Sequence, residues 1–183
     1  SAHGILLTAG ADAAVIGGTS AGEGNIICHY ATDGINSAST NASIICHGNL
    51  IGVLPGGTVA KNRGDALEIS AGTITIGAVG ASRTNCLVGS VGNKAIRQTG
   101  GTLEWGGRNY VTGDVLMSAG TFDPNDAVMS VTGDILATGS TISSNTSTIT
   151  LDGATLQTLT SFTPLNNLHY AGGTCGKLAS STA

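Results

Sequence analysis

The chain has 183 residues, 40% of them apolar and only 10% charged, with a formal net charge of −4; this suffices for a core and argues against a basic nucleic-acid binder and against charge-driven disorder. Glycine takes 29 positions and proline 3, which fits neither collagen nor a proline-rich linker. No run approaches the ~18 apolar residues of a membrane-spanning helix, and no basic segment followed by an apolar one opens the chain, so any secretion signal has been removed or lies outside it.

Along the chain, no segment sustains a 3.6-residue period with caps. Short runs rich in Val, Ile and Thr recur instead: Asn25-Ile26-Ile27-Cys28, Ser43-Ile44-Ile45-Cys46, Ala66-Leu67-Glu68-Ile69, Thr73-Ile74-Thr75-Ile76 and Thr148-Ile149-Thr150-Leu151. Gly, Asn, Asp and Ser separate them, which predicts short strands and tight turns.

The runs repeat. Ile26-Ile27-Cys28-His29 returns as Ile44-Ile45-Cys46-His47, and Val111-Thr112-Gly113-Asp114-Val115-Leu116 returns as Val131-Thr132-Gly133-Asp134-Ile135-Leu136, with a weaker copy from Leu151 to Leu156. A second marker, Gly101-Thr102-Leu103, Gly120-Thr121-Phe122 and Ser140-Thr141-Ile142, shifts with it. A period near 20 with several strands per period predicts one β-solenoid over residues 1–183, each turn pairing with the next at ~4.8 Å. Its divisions are 1–99, 100–172 and a partial coil or tail at 173–183. About nine coils fit, in a rod roughly 40–45 Å long. The expected core ladders are Leu116, Leu136, Leu156 and Leu103, Phe122, Ile142. Sparse charge follows too, because like charges stacked one above another repel. A β-sandwich would give irregular strand spacing and no in-register markers.

Val15-Ile16-Gly17-Gly18, Gly24-Asn25-Ile26-Ile27, Asp33-Gly34-Ile35, Gly48-Asn49-Leu50-Ile51-Gly52, Asn62-Arg63-Gly64-Asp65-Ala66-Leu67 and Gly92-Asn93-Lys94-Ala95-Ile96 resemble the degenerate repeats of right-handed parallel β-helix surface proteins. The Gly-Thr and Val-Thr-Gly-Asp repeats of the second half are similar to those of large secreted surface proteins, including autotransporter-like passengers. The two resemblances cover roughly residues 10–172. They imply a right-handed, single-stranded parallel β-helix in an extracytoplasmic setting. They do not specify activity, since the fold hosts adhesins, lyases, tailspikes and sheaths alike.

Cys28, Cys46, Cys86 and Cys175 allow three intrachain pairings. Equivalent positions on adjacent coils would put Cys28 and Cys46 within disulfide reach; outward cross-links between subunits and a reduced ladder of small apolar side chains are the alternatives. Cys28-His29 with Cys46-His47 suggests zinc, but neighbours in a strand face opposite ways and cannot converge on one ion. His3 and His169 stand alone.

Catalysis by this fold needs clustered carboxylates, or Ca²⁺ held by Asp beside a basic residue. The sequence has no Asp-Asp pair, and Arg63, Arg83, Arg97 and Arg108 are scattered. Asp114 and Asp134 share a register, with Asp152 two positions off, which suits corner turns better than a Ca²⁺ ladder. Trp105 and Tyr110 are the one place where two aromatics lie close, a candidate binding surface for carbohydrate. Thr73/Thr75, Thr148/Thr150 and Thr158/Thr160 are not spaced by a coil, as an ice-binding array would require. Asn41 and Asn145 head glycosylation sequons. The expectation is a non-enzymatic, cofactor-free extracellular subunit of a surface fibre, sheath or layer. Its partners would be copies of itself or the rest of a longer rod, with neither nucleic acid nor a membrane span. An adhesin rod is the alternative, and a polysaccharide lyase or hydrolase the second.

Overall fold

The computed structural model describes residues 2–77, 85–90, 92–143, 146–160, 167–171 and 178–179. Each turn of the chain contributes short strands in a fixed order. β1 (Ile5–Leu7), β2 (Ala14–Gly17) and β3 (Ile26–Ile27) make the first turn, followed by β4 (Ile35–Ser37), β5 (Ser43–His47) and β6 (Leu50–Ile51). β7 (Leu67–Ile69), β8 (Thr73–Ile76), β9 (Asn85–Val88), β10 (Ile96–Gln98), β11 (Thr102–Trp105) and β12 (Arg108–Thr112) make the next two. Then come β13 (Val115–Met117), β14 (Thr121–Asp123), β15 (Val128–Val131), β16 (Ile135–Ala137), β17 (Thr141–Ile142) and β18 (Thr148–Leu151). β19 (Leu159–Thr160), β20 (Asn167–Tyr170) and β21 (Leu178–Ala179) close the described chain.

Every third strand pairs in parallel as far as β19; then β18 pairs with β20 and β19 with β21. The first sheet stacks eight strands from β1 to β21, the second six from β2 to β17, and the third seven from β3 to β20. The described residues form an all-β parallel solenoid with three faces and no helix, and so none long and apolar enough to cross a membrane.

The period is not uniform. Ile5 pairs with Ile35, Ile35 with Leu67 and Leu67 with Ile96, steps of 30, 32 and 29 residues. Steps of 19 and 20 begin only at Ile96–Val115 and Val115–Ile135. The 18-residue shift between the two Ile-Ile-Cys-His runs is therefore not a coil. The first run opens with β3 on the third sheet and the second lies in β5 on the second sheet.

Strand alternation sends one set of side chains inward. On the second sheet Ala14, Ile44, Ile74, Leu103, Phe122 and Ile142 stack in register. From Ile44 onward this column is buried, and each such side chain contributes roughly 1.5–3 kcal/mol by leaving water. The other predicted ladder needs correction. Leu116 does lie over Leu136, but both stand at the outward, half-buried position of their strands. Leu136 then pairs with Thr160, while Leu156 is 61% exposed in the preceding loop. The inward columns of the first sheet are instead Ile35, Leu67, Ile96, Val115, Ile135 and Leu159, and Ile69, Gln98, Met117 and Ala137.

One corner explains the Gly-Thr marker. From the third turn on, the link between first and second sheets has three residues, 70–72, 99–101 and 118–120. Its last residue is Gly72, Gly101 or Gly120, with φ of 78°, 63° and 92°. A Cβ on Gly120 would sit 2.3 Å from the carbonyl oxygen of Gly101, so stacking and the left-handed backbone both select glycine.

Candidate functional site

The carboxylates gather at the corner leading into the first sheet. Backbone bonds align Asp33, Asp65, Lys94, Asp114, Asp134 and Thr158 on successive turns: Gly34 N donates to Asp65 O, Ala66 N to Lys94 O, Ala95 N to Asp114 O, Val115 N to Asp134 O and Ile135 N to Thr158 O. The side chains repeat the motif. Asp33 Oδ1 accepts from Asp65 N at 2.8 Å, Asp65 Oδ1 from Lys94 N at 2.6 Å, Asp114 Oδ1 from Asp134 N at 3.0 Å and Asp134 Oδ1 from Thr158 N at 2.7 Å. Each aspartate thus caps an amide one turn on. Asp114 and Asp134 stack as the sequence suggested, but Asp152 lies after β18 on another sheet, where it accepts from Ser130 Oγ at 2.7 Å; the next member is Thr158.

At the N-terminal end of this column, Asp33, Asp65 and Glu68 bring one carboxylate oxygen each to within 4.8 Å of one another. His3 Nδ1 lies 3.0 Å from Asp33 Oδ2, Asn36 Nδ2 donates to Glu68 Oε2 at 2.7 Å, and Arg97 Nε donates to Asp65 Oδ2. Burial, then the charge of Asp33, a hydrogen bond with Asp33 and the charge of Asp65 push the Glu68 carboxyl above the ordinary range, against the opposing pull of Arg97. Asp114 is shifted the other way: burial acts to raise it, but the Lys94 hydrogen bond, the Asp134 amide and the Lys94 charge together hold it below the usual range. The sequence offered a signal for this group, the recurring Asp33-Gly34-Ile35, Asp65-Ala66-Leu67 and Lys94-Ala95-Ile96 triplets. It was obscured because those triplets are 32 and 29 residues apart rather than 20.

The opposite shifts give opposite linkage. Glu68 binds its proton more tightly when folded, so its contribution is complete below the ordinary glutamate value and is lost as pH rises through the raised one. Asp114 contributes above the ordinary aspartate value and loses that contribution as pH falls through its depressed one. Glu68→Gln keeps an acceptor for Asn36 and gives Asp33 a donor. It should stabilise the chain at neutral pH by roughly 0.2–1 kcal/mol, the scale of a like-charge pair in a sheet, and by less below the ordinary glutamate value, where the raised Glu68 carboxyl takes up its proton. Urea midpoints at the two pH values check this; an equal gain at both would remove the charge explanation.

Chemically the group is committed to structure. Asp33 and Asp65 are buried, and both spend an oxygen on a backbone amide. Only Glu68 is half-exposed, and it stands beside Arg97 in the outward column of the first sheet.

The remaining candidates disperse. Cys46 is buried between Ile16 and Ile76 in an inward column, and burial pushes its thiol up to about 12. Cys28 directly follows β3, a strand of a different sheet, so the two do not stack; Cys28, Cys46 and Cys86 are free thiols. The proposed Cys28–Cys46 bridge is thereby corrected, its premise of an 18-residue coil having failed. Cys86 faces outward on β9, where partial burial raises its thiol. Cys175 and Asn145 lie outside the described residues. Asn41 is exposed in the turn before β5. Trp105 is 0% exposed and meets Phe122 edge-on at 5.8 Å, so it is a core residue and not a binding surface, whereas Tyr110 is 49% exposed on β12. Thr73 does lie over its counterparts: Ser43, Thr73, Thr102, Thr121 and Thr141 form one outward column. The adjacent column runs Ile45, Thr75, Glu104, Asp123, and its carboxylates break any Thr-x-Thr array.

No family model, no curated protein and no solved structure matches the chain.

Proposed function

We propose that the chain is a non-enzymatic structural rod of the cell surface or extracellular space, wound right-handed, that extends by strand addition at an open end. The right hand is the rule for parallel crossovers. The observation carrying this reading is the edge formed by β1, β2 and β3, which end all three sheets among the described residues. Ile5 N donates to Gly34 O and Leu7 O accepts from Ala38 N, so backbone alternation turns the N–H and C=O of Leu6 toward the open edge. The same reasoning applies to Val15 and Ile26, since Gly18 N bonds His47 O while Asn25 O and Ile27 O accept from Leu50 N and Gly52 N. All three of these residues carry exposed apolar side chains. An uncovered edge of this kind is a template for another strand, here the coil of a second copy or of a longer chain.

Leu6→Pro removes an outward N–H and no internal ladder bond, so it should leave the melting temperature within a few degrees while shortening assemblies. Negative-stain electron microscopy of the native material checks both halves: rods many chains long support the reading, and isolated single-chain rods overturn it.

An adhesin rod is a second reading, favoured by exposed Tyr110 on the outer face of the third sheet. Glycan-array binding lost in Tyr110→Ala would support it.

A further inference from the structure

Link length drops midway along the winding, and the drop leaves a groove. The link from the third sheet to the first takes residues 52–66 and then 89–95, but only 113–114 and 132–134 in the next two turns, before lengthening again to 152–158. The step between long and short links forms an open groove of about 350 Å³. Its walls include Lys61, Ser90, Asn93 and Lys94 from the long links, and Thr112 and Thr132 from the two Val-Thr-Gly-Asp copies. The repeated motif thus has a place in the fold beyond corner geometry. Gly89, Gly113 and Gly133 also line it, and at Gly89 and Gly133 a Cβ would strike the backbone of Ala95 and of Gly113, so close stacking selects glycine there.

The walls are held together. Asn93 Nδ2 donates to Arg63 O at 2.8 Å, which ties one long link to the other. Asp114 has both oxygens engaged, one with Lys94 Nζ at 2.8 Å and one with Asp134 N at 3.0 Å. Thr132 Oγ1 accepts from Gly113 N at 3.2 Å, so its own proton is free to donate into the space. Lys61 is half-buried and has no ion-pair partner among the described residues. Two lysines against one aspartate leave the lining positive, on a chain whose net charge is −4.

The donor set selects the ligand. A lysine ammonium acts as a point charge, whereas planar carboxylates are matched by the arginine fork, and no arginine lines this groove. No aromatic ring lines it either, so the face of a neutral sugar has no platform. The volume lies at the small end for a ligand site, with room for more than a bare ion. We propose that this step binds a tetrahedral oxyanion ester, a phosphate or sulfate group carried on a hydroxyl-rich body. Lys61 and Lys94 face the anion, and the Ser90, Thr112 and Thr132 hydroxyls donate to the remaining oxygens. The site does not depend on rod assembly.

Glucose 6-phosphate, glucose 6-sulfate, glucose, inorganic phosphate and inorganic sulfate titrated into the ¹⁵N-labelled chain test it. Either ester should bind saturably, moving amides between Gly89 and Lys94 and around Thr112 and Thr132. Lys61→Ala should weaken binding about tenfold, the scale of one charge-assisted contact, without changing the melting temperature. Thr132→Val should weaken it severalfold. A phosphate ester should gain affinity as pH rises through about 6, where its second proton leaves, and a sulfate ester should not, which assigns the source. The proposal is overturned if neither ester saturates, if glucose binds equally, if the inorganic ions bind as tightly as the esters, or if Lys61→Ala binds as well as the native chain.

Discussion

Trp105→Ala is expected to cost about 3–5 kcal/mol of stability, among the largest effects of any single substitution in the chain. Trp105 is fully buried, pairs in register with Ile76, and packs edge-on against Phe122 one turn away, at an interplanar angle of 87°. Removing it opens a void at the third and fourth turns that neither neighbouring coil can fill, because both are pinned by their own ladders. Its indole Nε1 has no acceptor among the described residues. Trp105→Phe removes that unpaired donor along with one ring, so its cost should be much smaller, about 1–2 kcal/mol. Urea unfolding followed at constant m-value separates the two variants. A binding aromatic on the surface would behave otherwise: both changes would leave stability within about 0.5 kcal/mol.

The fate of Trp105 shows where the sequence was legible. The parallel winding was visible because Gly101-Thr102-Leu103 and Gly120-Thr121-Phe122 do stack, and because Val111–Leu116 does lie over Val131–Leu136. Those turns have the shortest corners, so equivalent residues recur at nearly constant spacing. Turns before Ile96 carry links of up to 15 residues, 52–66 being the longest, and register there is kept by backbone bonds that leave no fixed interval in the sequence. The two Ile-Ile-Cys-His runs gave a false interval because they belong to different sheets and alternate in opposite phase, Ile27 pointing inward in the first and Ile44 and Cys46 in the second.

Inward and outward faces were harder to separate than turns. Leu116 and Leu136 are apolar and in register, yet strand alternation gives the interior to Val115, Met117, Ile135 and Ala137. Both flanking positions in each three-residue strand are apolar as well, so the sequence has no polar residue to mark the outer face. The acid column was hidden for a different reason. Its triplets at Asp33, Asp65 and Lys94 resemble one another but fall 32 and 29 residues apart, and side chain to backbone bonds across turns are what align them.

Asn85→Ala should be comparably severe, on the order of 4 kcal/mol, through lost hydrogen bonds more than lost volume. Asn25, Asn49, Asn85 and Asn109 run along the corner between the second and third sheets, and the last three are buried. Asn85 is the link between turns. Its Oδ1 accepts from Asn49 N at 2.9 Å and from Asn49 Nδ2 at 3.3 Å, while its Nδ2 donates to Cys46 O at 3.0 Å and Asn109 Oδ1 at 3.2 Å. Truncation strips the Asn49 amide and the Asn109 oxygen of partners where water has no access, each such group costing about 1–3 kcal/mol, and leaves the Cys46 carbonyl with Gly77 N alone. Asn85→Asp sharpens the argument. It keeps the acceptor for Asn49, but at neutral pH sets a buried carboxylate against two oxygens. Burial and those oxygens raise its folded proton affinity, so the contribution of the protonated form is complete below the ordinary aspartate value and is lost as pH rises through the raised one. Thermal melts should therefore show Asn85→Asp recovering part of its deficit on acidification, relative to native protein at the same pH, while Asn85→Ala does not. If both variants lose the same amount at every pH, the corner is held by shape and the ladder's donors are incidental.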